Sequence, residues 1–489
     1  MPPSLDLILA NRAYLDHEAP RWADSPSQAG SGGLLVAVRP VIQPWDGERG
    51  TTWIGAGLGR YDREWVDANG FELLPTPRGP LRHRRLFFSN STWRGHYADV
   101  SNSFLWPLLH LVRADLPAVT GYYPAPAAPA KGDWDAYVAV NTAFANAAAE
   151  ASDAELCWVH DYQLALVPDL LRKRGFGGKI AYFLHTPFPS ISVAEPYLRG
   201  QAGESFKAFV AGILGSDLAG FQSPADCERF IEAAINCCGA HRVGGGVELD
   251  GRFVRCGAYP VGIDPQEVLG VARSAQSPSR VRQARELNLP IVVGLERGDF
   301  TKGIPERLRA LAAAYRDGLR FAYIGIAAPT REGVAAYEDL EATIEREAAR
   351  AREAAFWAGC PFTQVRANVG WNDVVALQRD ASVVFTSSLA DGQNLVPVQA
   401  AIAQSLRPAH ERAVIVAGRD AGVCQTFEGF ESDGLVPVDP LDDNAMTHAL
   451  AEALEGRPGR ISDRLIDEVR RHDAQAWATG FLSDLEAPC

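Results

Sequence analysis

Short runs of apolar and β-branched residues alternate along this chain with longer segments whose apolar positions recur at helical spacing. The short runs predict strands at Leu5–Ala10, Glu155–Val159, Ile180–Leu184 and Leu218–Phe221 in the first half. In the second half they predict strands at Pro290–Leu295, Arg320–Ile326, Ser382–Thr386 and Ala413–Ala417. Between them, Ala/Leu/Arg-rich periodicity predicts helices at Trp134–Ala151, Leu164–Arg174, Pro224–Cys237, Ile304–Tyr315, Val334–Arg352, Asn372–Arg379 and Asn444–Leu454. Strands that alternate with helices read as parallel βαβ units, and the fold class is α/β. Ala258–Pro265, with two prolines and a glycine, is the best hinge between the two series, whereas the Pro/Ala-rich stretch Tyr122–Pro129 reads as a surface connection and not a domain boundary. Two βα-rich halves around one cleft place a ligand at the carboxyl ends of the strands.

Length supports two domains, since 489 residues exceed one ordinary core. The longest apolar runs are strand-sized, so no membrane span is expected, and the N-terminus lacks a leader pattern, making the cytoplasm the default location. A net charge of −13 argues against broad nucleic-acid binding but leaves room for a few cations around one phosphate site. The eight cysteines show no zinc spacing, so they read as reduced, mostly buried thiols and no metal site is expected.

The strongest local signal is IVVGLERGDFTKGIPERLRAL, a buried strand that feeds a charged turn and then a helix with Pro305 at its start. Arg297 and Lys302 both leave the carboxyl end of that strand. Two fixed cations there would stabilise the charge on a departing diphosphate without a metal; an exposed charged turn is the plainer alternative. After strand Ser382–Thr386, the turn Ala390-Asp391-Gly-Gln-Asn394-Leu395 opens a helix, which presents backbone N–H groups to an anion or a sugar. Asp391 could accept hydrogen bonds from sugar hydroxyls.

In the first half, Asp161 follows one strand and His185 the next, as ligand groups at neighbouring strand ends would. Arg12 ends the first strand ahead of a glycine-rich loop at 30–33, and a guanidinium there suits a phosphate. The helix-like block from Tyr97 to Trp106 holds two aromatics that on their own read as packing.

Taken in order, these segments resemble the trehalose-6-phosphate synthase family of retaining glycosyltransferases. The matching runs are ANR at 10–12, GGL at 32–34, the Tyr97 to Trp106 block, WVHDYQL at 158–164, FLHTPFP at 183–189, GFQ at 220–222, YPVGID at 259–264, ERGDFTKG at 296–303, the APTR stretch ending at Arg331, and DGQNLV at 391–396. The resemblance implies the GT-B architecture, two Rossmann-like domains facing across a central cleft. It implies an acceptor-binding domain over 1–262, a nucleotide-sugar-binding domain over 263–460, and a C-terminal helix in 461–489 returning to the first. It further implies that Arg297 and Lys302 bind the donor diphosphate, that His185 and Asp391 contact the transferred sugar, and that Gly33, Asn394, Leu395 and position 399 line the donor side. Arg12, Tyr97, Trp106, Asp161, Gln222 and Arg331 would hold the acceptor and its phosphate. No cofactor is implied beyond the nucleotide-sugar substrate, the other partner is a phosphorylated small molecule, and a homo-oligomer is left open.

Three positions depart from the family pattern. Its Glu eight residues after the Asp of the D-G-x-N turn is Gln399 here, which offers one acceptor oxygen in place of a carboxylate. The usual Met of that turn is Gln393, and W-x-G-W reads Trp53-Ile-Gly-Ala56. The leading expectation is glucosyl transfer from UDP- or GDP-glucose to glucose 6-phosphate. The alternatives are the same chemistry on glycerol 3-phosphate or a phosphorylated cyclitol, and a non-catalytic sugar-phosphate-binding paralogue.

Overall fold

The computed structural model describes residues 5–21, 28–29, 33–76, 78–151, 153–331, 334 and 336–486; positions 30–32 of the glycine-rich loop and Cys489 lie outside the described residues. The chain forms two compact units. One comprises Met1–Ala114, Ala125–Tyr259 and Ala474–Cys489, the other Asp115–Pro124 and Pro260–Asp473.

The main sheet of the first unit has ten strands among the described residues: β1 (Leu7–Arg12), β2 (Thr52–Ala56), β3 (Phe71–Thr76), β4 (Gly79–Leu86), β5 (Leu156–His160), β6 (Lys179–Phe183), β7 (Leu218–Phe221), β8 (His241–Val243), β9 (Gly246–Leu249) and β10 (Arg252–Ala258). Their spatial order is β8-β9-β10-β7-β6-β5-β1-β2-β4-β3. The central pairings are parallel and the edges antiparallel. Strands such as LCWVH are buried along their whole length because helices cover both faces of a parallel sheet, which is why they read as continuous apolar runs. The order of strands reverses beside β1, whose neighbours are β2 and β5, so the loops after β1 and β5 border a crevice.

The second unit has six strands: β11 (Ile291–Arg297), β12 (Ala322–Ala328), β13 (Phe362–Val365), β14 (Val383–Phe385), β15 (Val414–Gly418) and β16 (Leu435–Val438). All are parallel, in the order β13-β12-β11-β14-β15-β16. Here the reversal falls between β11 and β14, the two strands whose following turns drew attention in the sequence. Of the two last helices, Asp463–Arg471 belongs to the second unit and Ala474–Glu486 to the first. Trp477 and Phe481 of the final helix pack on Trp158 with ring centroids 5.2 and 5.1 Å away.

The expected strands stand within a few residues of their predicted bounds. One expectation is corrected. Tyr122–Pro129 is not simply a surface connection, because Tyr122 and Tyr123 are 4% and 3% exposed, and a division between the units does fall within it, after Pro124. No described helix is long and apolar enough to cross a membrane.

Candidate active site

In the second unit, the turns after β11 and β14 meet at the strand reversal. The Lys302 ammonium pairs with the Asp391 carboxylate, joining the two turns through their charged groups. The backbones join as well, since Leu389 N–H donates to Thr301 O at 2.8 Å. The single Ser387 hydroxyl proton is shared between Lys302 O (Oγ···O 3.0 Å) and Gly303 O (2.8 Å). That closeness demands glycine at 303: its φ is 58°, and a Cβ there would stand 2.1 Å from Ser387 O. Arg297 leaves the same strand half-exposed, its guanidinium 3.8 Å from Asp299. Arg331, after β12, pairs with the fully buried Asp299 and donates to the Tyr337 hydroxyl at 2.7 Å.

Beneath the turns lies a group that sequence reasoning missed. Arg307, on the helix Ile304–Arg316, is fully buried and pairs with Glu296. It also donates to Phe385 O (3.1 Å) and Ser387 Oγ (3.2 Å), so one guanidinium ties the ends of β11 and β14 from below. An arginine on a helix normally reads as solvent-facing, and nothing in PERLRAL marks this one as buried.

Asn394 caps the helix Leu395–Gln404, accepting from Val396 N–H at 3.3 Å and donating to Ser388 Oγ at 3.1 Å. The Leu395 and Val396 amides thus open a helix beside Asp391, with the positive end of its dipole toward the turn. Gln399 Oε1 accepts from Gln378 Nε2 at 3.2 Å, so the amide's one acceptor is engaged within the protein. Gln393 Oε1 likewise accepts from Thr426 Oγ1 at 3.1 Å.

In the first unit, Arg12 ends β1 with its guanidinium 5.6 Å above the Tyr97 ring. Tyr97 sits in an 11-residue π-helix, Gly95–Leu105, rather than the α-helix its pattern predicts. The cause is local: Ser101, Asn102 and Ser103 each donate a side-chain hydrogen bond to the carbonyl five residues earlier, at 2.7, 2.7 and 2.8 Å. Those bonds fit the wider turn, and such turns gather at functional sites. Trp106 is 8% exposed and packs on His110 and Tyr162, so most of its ring serves the core.

Asp161 follows β5 with φ 72° and ψ 168°, a conformation that costs a non-glycine residue about 1–3 kcal/mol. Its Oδ1 accepts from His185 N–H at 3.3 Å. The His185 ring shares a 3.1 Å hydrogen bond with His160, and Gln222 Nε2 donates to His185 O at 3.5 Å. Burial pushes the His185 imidazole down to about 3, leaving it neutral at ordinary pH and able to hydrogen-bond hydroxyls without charge. Five described non-glycine residues have positive φ, and three of them are Asp161, Arg331 and Asn394. Strain concentrated at the residues singled out by sequence is what a functional site predicts.

In the first unit the structure sets Arg12 against Tyr97 and, separately, brings Asp161, His185 and Gln222 together; in the second it joins Lys302 to Asp391, beside Asn394 and Leu395, and sets Arg297 and Arg331 on Asp299. Arg331 stands among the second unit's turns, within the domain in which the sequence places it. Gly33 begins the helix Gly33–Val38 of the first unit. Trp53 is a core residue whose Nε1 donates to Arg12 O at 3.0 Å, and Ala56 beside it is fully buried.

The family model "Glycosyltransferase family 20" matches residues 25–487. Trehalose-6-phosphate synthase of Mycolicibacterium smegmatis is 31% identical, covering 98% of this chain and 92% of the relative. Alpha,alpha-trehalose-phosphate synthase [UDP-forming] A of Dictyostelium discoideum is 26% identical over 98% of this chain, which spans 62% of that longer protein. Among solved structures, an alpha,alpha-trehalose-phosphate synthase (UDP-forming) from Burkholderia xenovorans in complex with glucose-6-phosphate matches with a TM-score of 0.79 at 26% identity, covering 98% of this chain and all of that one. Two Rossmann-like sheets, a cation-bearing turn at the strand reversal and a family match across nearly the whole length lead to one conclusion: the chain belongs to glycosyltransferase family 20.

Proposed function

We propose that this protein is a retaining glycosyltransferase that moves a glucosyl group from UDP- or GDP-glucose to glucose 6-phosphate, giving trehalose 6-phosphate in the cytoplasm. The observation that carries the proposal is the turn after β11, which sets Lys302 against Asp391 and the opening of helix Leu395–Gln404. In this reading the second unit holds the donor. The bond from sugar C1 to the diphosphate oxygen breaks, and its electron pair leaves with the diphosphate. Lys302 and Arg297 offset the charge that accumulates there, where pre-set cations act most strongly. The same face of the sugar receives the acceptor hydroxyl, whose proton passes to the departing phosphate oxygen. Asp391 and His185 hold the sugar, the first as an ionised acceptor and the second as a neutral imidazole. Arg12, Tyr97, Asp161, Gln222 and Arg331 take the acceptor and its phosphate.

The names and bound ligand of the relatives support this choice of substrates. Ala56 and Gln393 favour a second reading, the same chemistry on another phosphorylated acceptor such as glycerol 3-phosphate. One experiment separates them. The protein is incubated with UDP- or GDP-glucose and each acceptor in turn, and products are read by mass spectrometry and by the anomeric couplings in NMR. The expected product is a disaccharide phosphate whose single glycosidic linkage joins two α anomeric centres. Product with glycerol 3-phosphate alone would move the assignment to the second reading, and no product with any acceptor would sink both.

A further inference from the structure

A short segment outside the site grips the Lys302 turn. Asp115–Pro124 belongs to the second unit although the chain on either side of it belongs to the first. Its shape is made locally: Pro117 opens the helix Leu116–Thr120, Gly121 ends it at φ 70°, and Thr120 Oγ1 accepts from Tyr123 N–H at 3.1 Å. Just beyond its ends the chain is pinned within the first unit. Ala114 O accepts from the Tyr197 hydroxyl at 2.8 Å, and Ala127 N–H donates to Ser103 O at 3.0 Å.

Two buried tyrosines project from this segment. The Tyr122 hydroxyl donates to Glu306 Oε2 at 2.5 Å, and Glu306, fully buried, lies in the first turn of the helix Ile304–Arg316. Burial pushes the Glu306 carboxyl up, while hydrogen bonds from Tyr122 and Arg309 oppose that rise. The Tyr123 ring meets Phe300 edge to face, with centroids 4.9 Å apart and planes at 72°. Phe300 in turn packs on Tyr337 at 5.3 Å, and the Tyr337 hydroxyl donates to Asp299 at 3.2 Å. One tyrosine therefore holds residue 300 and the other residue 306, with Lys302 and Gly303 between them.

We infer that Tyr122 and Tyr123 are positioning residues for Lys302, setting the turn after β11 so that its ammonium meets the donor diphosphate. The consequence for turnover rests on the proposed transfer reaction; the ordering of the turn does not. An edge-to-face aromatic pair contributes beyond area burial, and a group displaced by about 1 Å from its productive place costs up to about a hundredfold in rate. Neither tyrosine touches the reacting atoms in this account, so each acts through the turn alone.

The test uses the full chain and two readouts. Hydrogen–deuterium exchange of peptides spanning Asp299–Gly303 reports the turn directly, and steady-state kinetics with UDP- or GDP-glucose report its consequence. Tyr123→Ala should speed exchange in that turn by about tenfold, with strands β15 and β16 unchanged. It should lower kcat by about ten- to a hundredfold at nearly constant acceptor KM. Tyr123→Phe, which keeps the ring, should restore both, and Tyr122→Phe should fall between. Should Tyr123→Ala fail to fold, Tyr123→Leu carries the same two readouts. Unchanged turn exchange in the alanine or leucine variant would overturn the inference, as would a phenylalanine variant as impaired as alanine. A wild-type protein that transfers glucose to no acceptor would instead count against the reaction, while the exchange data would still decide the role of the two tyrosines.

Discussion

Replacing Gly303 by alanine perturbs the junction of the two turns at a single atom. At φ 58° an L-residue pays about 1–2 kcal/mol for the left-handed conformation. The added Cβ would also stand 2.1 Å from Ser387 O, against ordinary contact that begins at 3.4 Å, so the turns after β11 and β14 must part by about 1 Å. Ser387 Oγ then loses the one donated hydrogen bond that it shares between Lys302 O and Gly303 O, worth about 1 kcal/mol. The expected destabilisation is about 2–3 kcal/mol, or about 5–10 °C in the melting of a unit of this size. Activity should suffer more than stability, because the same 1 Å shift moves Lys302 and predicts about a hundredfold loss in kcat at a temperature where the variant is still folded. Circular-dichroism melts and the transfer assay measure the two together. Gly270→Ala is the control: the position is helical with nothing within 4 Å, and alanine there should stabilise slightly without touching turnover. A Gly303→Ala protein with wild-type melting and wild-type turnover would refute the reasoning about this junction.

Two further outcomes follow from the same geometry. Gln399→Glu would place a carboxylate where the amide oxygen now meets Gln378; if position 399 faces the donor ribose, donor affinity measured by calorimetry should tighten by about tenfold, whereas an unaltered affinity would remove the residue from the donor site. Glu72 lies in a buried charge cluster with His17 (2.8 Å), His83 (3.0 Å) and Arg85 (2.5 Å). Burial alone would raise its carboxyl, but bonds from the two histidines and the Arg85 charge outweigh that and hold it down to about 2. The folded-state value is depressed, so this stabilisation is complete above the ordinary glutamate range and is lost as pH falls from there toward 2. Glu72→Gln should therefore cost about 3 kcal/mol near neutrality, a gap that narrows in melts taken at progressively lower pH; a gap independent of pH would contradict the assignment.

Much of the site was readable before any coordinates because its residues sit where apolar strands end. Arg297 and Lys302 follow the apolar run Ile291–Leu295 and Asp391 follows Val383–Phe385, runs short enough to read as buried strands, and ligands bind at the ends of such strands. What escaped was polarity turned inward. Strand β4 reads GPLRHRRL, and the inward positions His83 and Arg85 are charged or polar because Glu72 and Asp62 wait to pair with them. A pattern method sees polar residues on both faces and finds no strand. Arg307 hid for the same reason, as its partner Glu296 comes from a different element. The π-helix at Gly95–Leu105 depended on three side-chain bonds to carbonyls five residues back, which helical periodicity does not encode. Tyr122 and Tyr123 lay in a Pro/Ala-rich stretch whose composition signals a loop, and their burial depends on Glu306 and Phe300, which are far along the chain.

The role proposed for Lys302 and Arg297 is to offset charge on the departing diphosphate. It is tested most directly by changing the leaving group, comparing Lys302→Ala with wild type on a nucleotide-glucose donor and on α-glucosyl fluoride, whose fluoride ion leaves without a diphosphate. Lys302→Ala should lose about a hundred- to a thousandfold in kcat on the nucleotide donor, the scale of one removed charge-stabilising group, and much less on the fluoride. Equal losses on the two donors would contradict it.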